Sequence, residues 1–205
     1  DLIYVALNAK GSATYGNALA AKESFYDEHP GAREKMRIHV IDGGNYTGGY
    51  GYPVVEAAKR LRAGASVEEL VEFITDWCAH CEILFVPYTL KYAAKSGRIN
   101  GATAFLGNTL GIKPLMLIRD GSINDVAKLR GEKQVIKTVK ERALAEMKPG
   151  SPYLIVYGSN TDGADAMAAA MTEAVGYPPA DRYQIGAEIA ANAGPKLVGV
   201  IYYKK

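Results

Sequence analysis

Residues 8–15 read N-A-K-G-S-A-T-Y, directly after the apolar run L-I-Y-V-A-L at 2–7. A strand that ends in a glycine-and-hydroxyl turn and runs straight into a helix leaves the first helical N–H groups unpaired. They lie beside the positive end of the helix dipole. Ser12 and Thr14 add hydroxyl donors at that point, so a carboxylate or phosphate would be held well. The plainer reading makes Ser12 an N-cap for the following helix. The residues alone leave both readings open.

The string W-C-A-H-C at 77–81 has the form of a W-C-x-x-C thiol–disulfide site. That chemistry needs the first cysteine exposed at a helix N-terminus, where the dipole lowers its pKa. Here the pair closes an amphipathic helix, at the negative end of its dipole. Both sulfurs fall on the apolar stripe, which points to buried core cysteines. Cys78, His80 and Cys81 are too few ligands for zinc without a second cluster, so no metal is expected. The three histidines, His29, His39 and His80, form no nucleophile–base pair with a hydroxyl or thiol, and neither G-x-S-x-G nor a P-loop is present. The glycine-rich G-G-N-Y-T-G-G-Y-G at 43–51 lacks dinucleotide spacing, and a tight strand-to-helix connection accounts for its glycines. No catalytic residue and no cofactor is expected.

The elements that must position these residues alternate at first. Residues 2–8 read as a buried strand, 14–29 as a helix, 37–42 as a strand and 53–63 as a helix with Pro53 in its first turn. Ser66 opens S-V-E-E, a capping box with Glu69. The helix it starts carries Val67, Leu70, Val71, Ile74, Trp77, Cys78 and Cys81 on one stripe. I-L-F-V-P-Y at 83–88 is the next strand. This βαβ rhythm predicts a parallel, helix-covered sheet. After about residue 89 the texture changes. A helical stretch at 90–110 breaks near Ser96-Gly97, and a β-run at 112–123 contains a D-G turn. Then come a helix at 132–147, a strand at 153–158, a helix at 163–175, and strands at 182–189 and 196–204. The fold class is α/β: a parallel-sheet α/β domain at 1–89 and a second, α+β domain at 90–205.

Hydrophobic residues make up 48% of the 205, enough for a sizeable core. Lys plus Arg is 24 and Asp plus Glu 22, a net charge of +2, which gives no support to nucleic acid as a partner. No apolar run approaches the ~20 residues of a membrane crossing, so no integral insertion is expected. No signal peptide precedes the first apolar run, and the absence of an initiator Met suggests that Asp1 is not the native start. Two cysteines fit a reducing cytoplasm.

Five segments in order resemble the DegV family of bacterial fatty-acid-binding proteins. K-G-S-A-T-Y-G-N-A is similar to its L-S-G-T-Y-x-x-A segment, and H-V-I-D-G-G through G-G-Y-G-Y-P-V-V-E-A-A to its V-I-D-S stretch. T-L-K-Y-A-A-K-S-G-R-I-N resembles its G-R-I motif, L-G-I-K-P-L-M-L-I-R-D-G-S-I-N-D-V-A-K-L-R-G its i-K-P run, and I-G-A-E-I-A-A-N-A-G-P-K its closing H-x-G-P-G. The resemblance implies a parallel-sheet α/β domain, a second α+β domain, and a long-chain fatty acid in a tunnel with its carboxylate near the hydroxyl turn. In several members the bound acid is presented to a separate kinase, which phosphorylates the carboxylate.

On this resemblance Ser12 matches the family's carboxylate-binding serine, Thr14 the threonine after it, and Arg98 the arginine of G-R-I near the head group. Arg130 matches an arginine that would dock the kinase. Asn192 replaces the family's histidine and can still donate a hydrogen bond, though it cannot carry a proton charge. Lys196 replaces the second glycine of that motif, G-S-A-T stands for S-G-T, and the family's further N-terminal segment has no counterpart in these residues. The expectation is a cytoplasmic, non-catalytic carrier with a fatty acid as bound ligand. Its rivals are an enzyme acting on a small anion at the Ser12/Thr14 turn, or a degenerate member serving as an interaction module.

Overall fold

The computed structural model describes residues 1–96 and 111–205. The chain divides into two compact units, Asp1–His80 and Cys81–Lys205. This division falls before the strand at 81–87, not near residue 89, because that strand joins the sheet of the second unit.

The first unit runs β1 (Leu2–Ala6), α1 (Thr14–Glu28), α2 (Ala32–Lys35), β2 (Ile38–Asp42), α3 (Gly48–Arg62) and α4 (Val67–His80). β1 and β2 pair in parallel, from Leu2 against Ile38 to Ala6 against Asp42. The Tyr26 phenol of α1 donates to Met36 O at 2.9 Å and accepts the Ile38 N–H at 3.0 Å, which fixes the entry to β2. The predicted capping box forms as written. Ser66 N–H donates to Glu69 Oε2 at 2.7 Å, and Glu69 N–H returns to Ser66 Oγ at 3.3 Å. On α4, Leu70, Ile74, Trp77 and Cys78 are buried, as their spacing predicts.

α3 begins five residues before the predicted start at Pro53, which therefore lies inside the helix. A proline there has no N–H to give the carbonyl four residues back. That carbonyl belongs to Gly49, and the Trp77 indole N–H of α4 donates to it at 2.8 Å. The Tyr52 and Trp77 rings pack at 4.6 Å between centroids. The helix defect and the lone tryptophan are thus complementary: α4 supplies the donor that Pro53 removes.

The second unit contains β3 (Cys81–Pro87), α5 (Lys91–Ser96), β4 (Ile112–Arg119), β5 (Ser122–Arg130), α6 (Glu132–Glu146), β6 (Tyr153–Tyr157), α7 (Thr161–Val175), β7 (Asp181–Gln184), α8 (Ala187–Ala193) and β8 (Leu197–Tyr203). Its six-stranded sheet has the order β5-β4-β3-β8-β6-β7. Only β6 and β7 run parallel; every other neighbouring pair is antiparallel. The α/β class holds, but the expectation that β3 extends a parallel sheet does not. The stretch 182–189 is also only half strand: after β7 the chain turns through Gly186 into the Ala-rich helix α8. Asp120 and Gly121 both have positive φ, 49° and 72°, the type I′ geometry that a two-residue D-G hairpin needs.

Alternate residues of the central strands, among them Leu84, Val86, Leu115, Leu117, Val198 and Val200, form a core with Val135 and Val139 of α6 and Met167 and Met171 of α7. Among the described residues, one charged side chain is buried in this sheet. Glu82 of β3, 1% exposed, takes Arg119 Nε at 2.5 Å and Nη2 at 2.8 Å, and accepts the Tyr202 hydroxyl at 2.8 Å. Arg119 also reaches Glu146 on α6. Burial first, then the Glu82 bond, pushes the Tyr202 phenol well above the usual tyrosine range, so it stays a donor. No helix among the described residues is long and apolar enough to cross a membrane.

Trp77→Phe should cost about 2–3 kcal/mol by urea unfolding, since it orphans a buried carbonyl. In a Pro53→Ala background the restored N–H can take over, so the cost should shrink; an equal cost in both backgrounds refutes the complementarity. Glu82→Ala should cost about 3 kcal/mol in the same assay, the lower end for a broken buried ion pair because Arg119 is 39% exposed and can be rehydrated.

Candidate functional site

The parallel register of β1 and β2 brings both strand ends to one edge, so the segments after Ala6 and after Asp42 leave the sheet side by side. One carboxylate fastens them. Asp42 Oδ1 accepts the Ala9 N–H at 3.0 Å and the Gly44 N–H at 2.9 Å. Asn8, 1% exposed, adds further stitches. Its N–H donates to Asn45 O at 3.0 Å, its Oδ1 takes the Lys10 N–H at 3.2 Å, and its Nδ2 donates to Tyr46 Oη at 3.0 Å. Two glycines lie where a Cβ would press on a neighbour, backbone in one case and the tip of a side chain in the other. A Cβ on Gly43 would meet Ala6 O at 2.5 Å, and one on Gly11 would meet the Tyr46 hydroxyl at 2.1 Å.

On this clamped base the turn at 11–14 enters α1. Ser12 and Thr14 are half-buried, and their hydroxyl oxygens are 2.7 Å apart. Ser12 Oγ also accepts the Thr14 N–H at 3.2 Å, so part of its role is the local cap that the plainer reading assigned it. The hydrogen count leaves a donor over. The pair holds two hydroxyl hydrogens and uses one between themselves, whichever residue donates, so one O–H remains for an outside acceptor. The next amides, of Tyr15 and Gly16, precede the first i→i−4 bond, which Asn17 makes to Ala13 O at 2.9 Å. The turn can therefore offer an anion one hydroxyl and the N–H groups of a helix start. In the loop after β2, Thr47 directly precedes α3 at φ 50°, with its Oγ1 buried and without a hydrogen-bond partner among the described residues.

The other expected site residues lie elsewhere. Arg98 falls outside the described residues. Asn192 sits in the second unit on α8, where its Nδ2 donates to Glu188 O of the same helix at 2.7 Å. Arg130 ends β5, exposed, with its backbone N–H on the Gln134 side chain at 2.5 Å. The W-C-A-H-C string is split. Cys78 is in the last turn of α4, and Cys81 is not on that helix stripe but opens β3; both are buried free thiols. Burial, then the Asp42 charge, pushes the Cys78 thiol up to about 12, the opposite of an activated thiolate. Among the described residues no group of three or more His, Cys, Asp or Glu is placed to hold a metal.

Asn8, Asp42 and Tyr46 were not singled out from the sequence. The available signal was polar residues directly after two strands, where Asn and Asp commonly accept their neighbours' amides.

A family model described as "Uncharacterised protein, DegV family" matches residues 1–205. The chain is similar to the DegV domain-containing protein YteA of Lactococcus lactis subsp. lactis. The two are 33% identical over 163 residues, which make up 79% of this chain and 55% of that protein. Among solved structures it resembles a fatty-acid-binding DegV family protein from Thermus thermophilus at 28% identity and a TM-score of 0.77, covering 99% of this chain and 70% of the other. The Fatty Acid Kinase (Fak) B3 protein of Streptococcus pneumoniae, solved loaded with linoleic acid, shares the fold at a TM-score of 0.87 and 20% identity, over 99% of this chain and 71% of that one. The chain thus spans about half of the Lactococcus relative and about seven-tenths of the two solved proteins.

Asp42→Ala should lower the stability of the first unit by about 2 kcal/mol, the scale of lost charge-assisted bonds at a half-buried site. It should also speed hydrogen exchange at the Ala9 and Gly44 amides. Unchanged exchange there would show that the carboxylate is not what joins the two segments.

Proposed function

The chain belongs to the DegV family, and we propose that it binds one long-chain fatty acid whose carboxylate rests on the Ser12/Thr14 turn. The observation that carries this reading is the spare hydroxyl hydrogen of the Ser12–Thr14 pair at the start of α1. A carboxylate leaving water needs donors at its oxygens, and burying it without them is costly. A hydroxyl and helix-start amides supply donors without a counter-charge, and the dipole end favours the anion. The names of the Thermus and Streptococcus proteins, which tie them to fatty acids, support the choice of ligand.

In this proposal Arg98 and Asn192 assist at the head group. Asn192 does so as a neutral donor, exchanging its bond to Glu188 O for one to the ligand. Arg130, exposed at the end of β5, serves a fatty-acid kinase to which the bound acid is presented. The protein is a cytoplasmic carrier and not a catalyst. The carboxylate of the turn, Asp42, already accepts two backbone N–H groups through one oxygen, and this clamp suits it to holding the loops rather than to moving protons.

Ser12→Ala should weaken fatty-acid retention by about 1–3 kcal/mol, the range for a lost hydrogen bond to a charged group, or roughly 5- to 150-fold. Native mass spectrometry of purified protein in competition with a lipid acceptor measures it. Equal occupancy in mutant and wild type would remove Ser12 from the carboxylate.

A further inference from the structure

Tyr46, in the loop after β2, enters the seam of the candidate site as an acceptor. Its main-chain groups are committed: its N–H donates to Asn45 Oδ1 at 3.1 Å, and its carbonyl accepts the Gly49 N–H at 2.9 Å at the start of α3. Its phenol reaches back to the segment after β1. A Cβ on Gly11 would collide with the hydroxyl and meet Cζ at 3.1 Å, so the tip of the ring lies against the residue directly before Ser12. Consecutive Cα atoms are about 3.8 Å apart, which keeps the phenol oxygen close to the hydroxyl turn.

The hydrogen bond to Asn8 has a fixed direction. Asn8 Oδ1 is committed to the Lys10 N–H at 3.2 Å, so the group turned to Tyr46 is Nδ2, which can only donate; that bond is 3.0 Å long. The phenol oxygen is therefore the acceptor, and its own hydrogen has no acceptor among the described residues. With the hydrogen left over by the Ser12–Thr14 pair, the turn has two O–H donors to offer.

Asn8 is 1% exposed and holds the phenol at its oxygen end, so this donor loses little freedom when a ligand arrives. A carboxylate has two oxygens, and each accepts an O–H donor more strongly than a neutral carbonyl does. A primary amide has the same planar shape but one acceptor oxygen, and its NH2 would meet the second hydroxyl as donor against donor. A site built on such donors rejects the analogue that leaves one of them unmet.

We propose that Tyr46 donates its hydroxyl hydrogen to one carboxylate oxygen of the ligand while the Ser12–Thr14 pair serves the other, so that Tyr46 selects a free carboxylate over uncharged acyl derivatives. This rests on the fatty-acid reading above and adds to it a second donor and a head-group preference.

The test compares wild type, Tyr46→Phe and Ser12→Ala as the full, delipidated chain. Hexadecanoic acid and hexadecanamide are presented from phosphatidylcholine vesicles, and occupancy is read by native mass spectrometry. Tyr46→Phe should lower affinity for the acid about fivefold or more, and the acid-to-amide ratio should fall with it. Phe cannot accept the Asn8 bond, so a purely structural loss would weaken both ligands alike. An unchanged ratio therefore overturns the proposal, as does unchanged affinity for the acid. In wild type labelled at tyrosine ¹³Cζ, the Tyr46 signal should move when the acid binds; a signal that stays in place overturns the contact even where the variant fails to fold. A wild type that holds no acid removes the Ser12 reading and this proposal with it. Loss of acid in Ser12→Ala but not in Tyr46→Phe removes Tyr46 alone.

Discussion

The parallel register that sets Ala6 against Asp42 is the constraint on which the candidate site depends. Parallel strands end at the same edge, so two loops far apart in sequence must leave side by side. Loops in that position have amides without partners, and an unpaired buried amide is costly. A single carboxylate oxygen meets one amide from each loop, and the Asn8 side chain extends the seam to Tyr46. The hydroxyl turn is positioned by this seam, because the chain reaches Ser12 only after passing Ala9, Lys10 and Gly11.

The second unit solves a different problem with the same kind of group. Glu82 lies within a sheet, out of contact with solvent, and its hydrogen-bond partners come from the two strands beside β3, with the Lys204 ammonium 3.9 Å away. Two prongs of Arg119 and one phenol satisfy it, and Arg119 carries the link on to α6. Asp42 organises loops at a sheet edge, whereas Glu82 ties strands within a sheet. The first arrangement holds a surface turn in place, while the second runs from a buried carboxylate out to a partly exposed guanidinium.

Much of the local structure was legible in the sequence because its causes are local. Ser66 and Glu69 lie three residues apart and cap each other; Asp120-Gly121 is a turn whose backbone demands are met by the two residues themselves. The Ser12 turn was legible for the same reason, as a strand end, a glycine, a hydroxyl and a helix start in one short run. What failed was long-range. The β3 segment follows α4 as a parallel strand would, but its partners are β4 and β8, and the β8 pairing spans more than half the chain. Cys81 fits the helical stripe of α4 by spacing, yet the chain has already passed into β3. Asp42 and Asn8 read as ordinary loop polars until the strand pairing brings their partners within reach.

The bond between the Trp77 indole and Gly49 carries one more consequence. Trp77 is the chain's single tryptophan, and its ring is held against the first turns of α3, the helix that Thr47 and the glycine-rich loop lead into. Indole emission responds to the hydrogen bonding and polarity around the ring. The protein therefore carries an intrinsic optical gauge of whether that helix start is intact, with no other tryptophan to blur the signal.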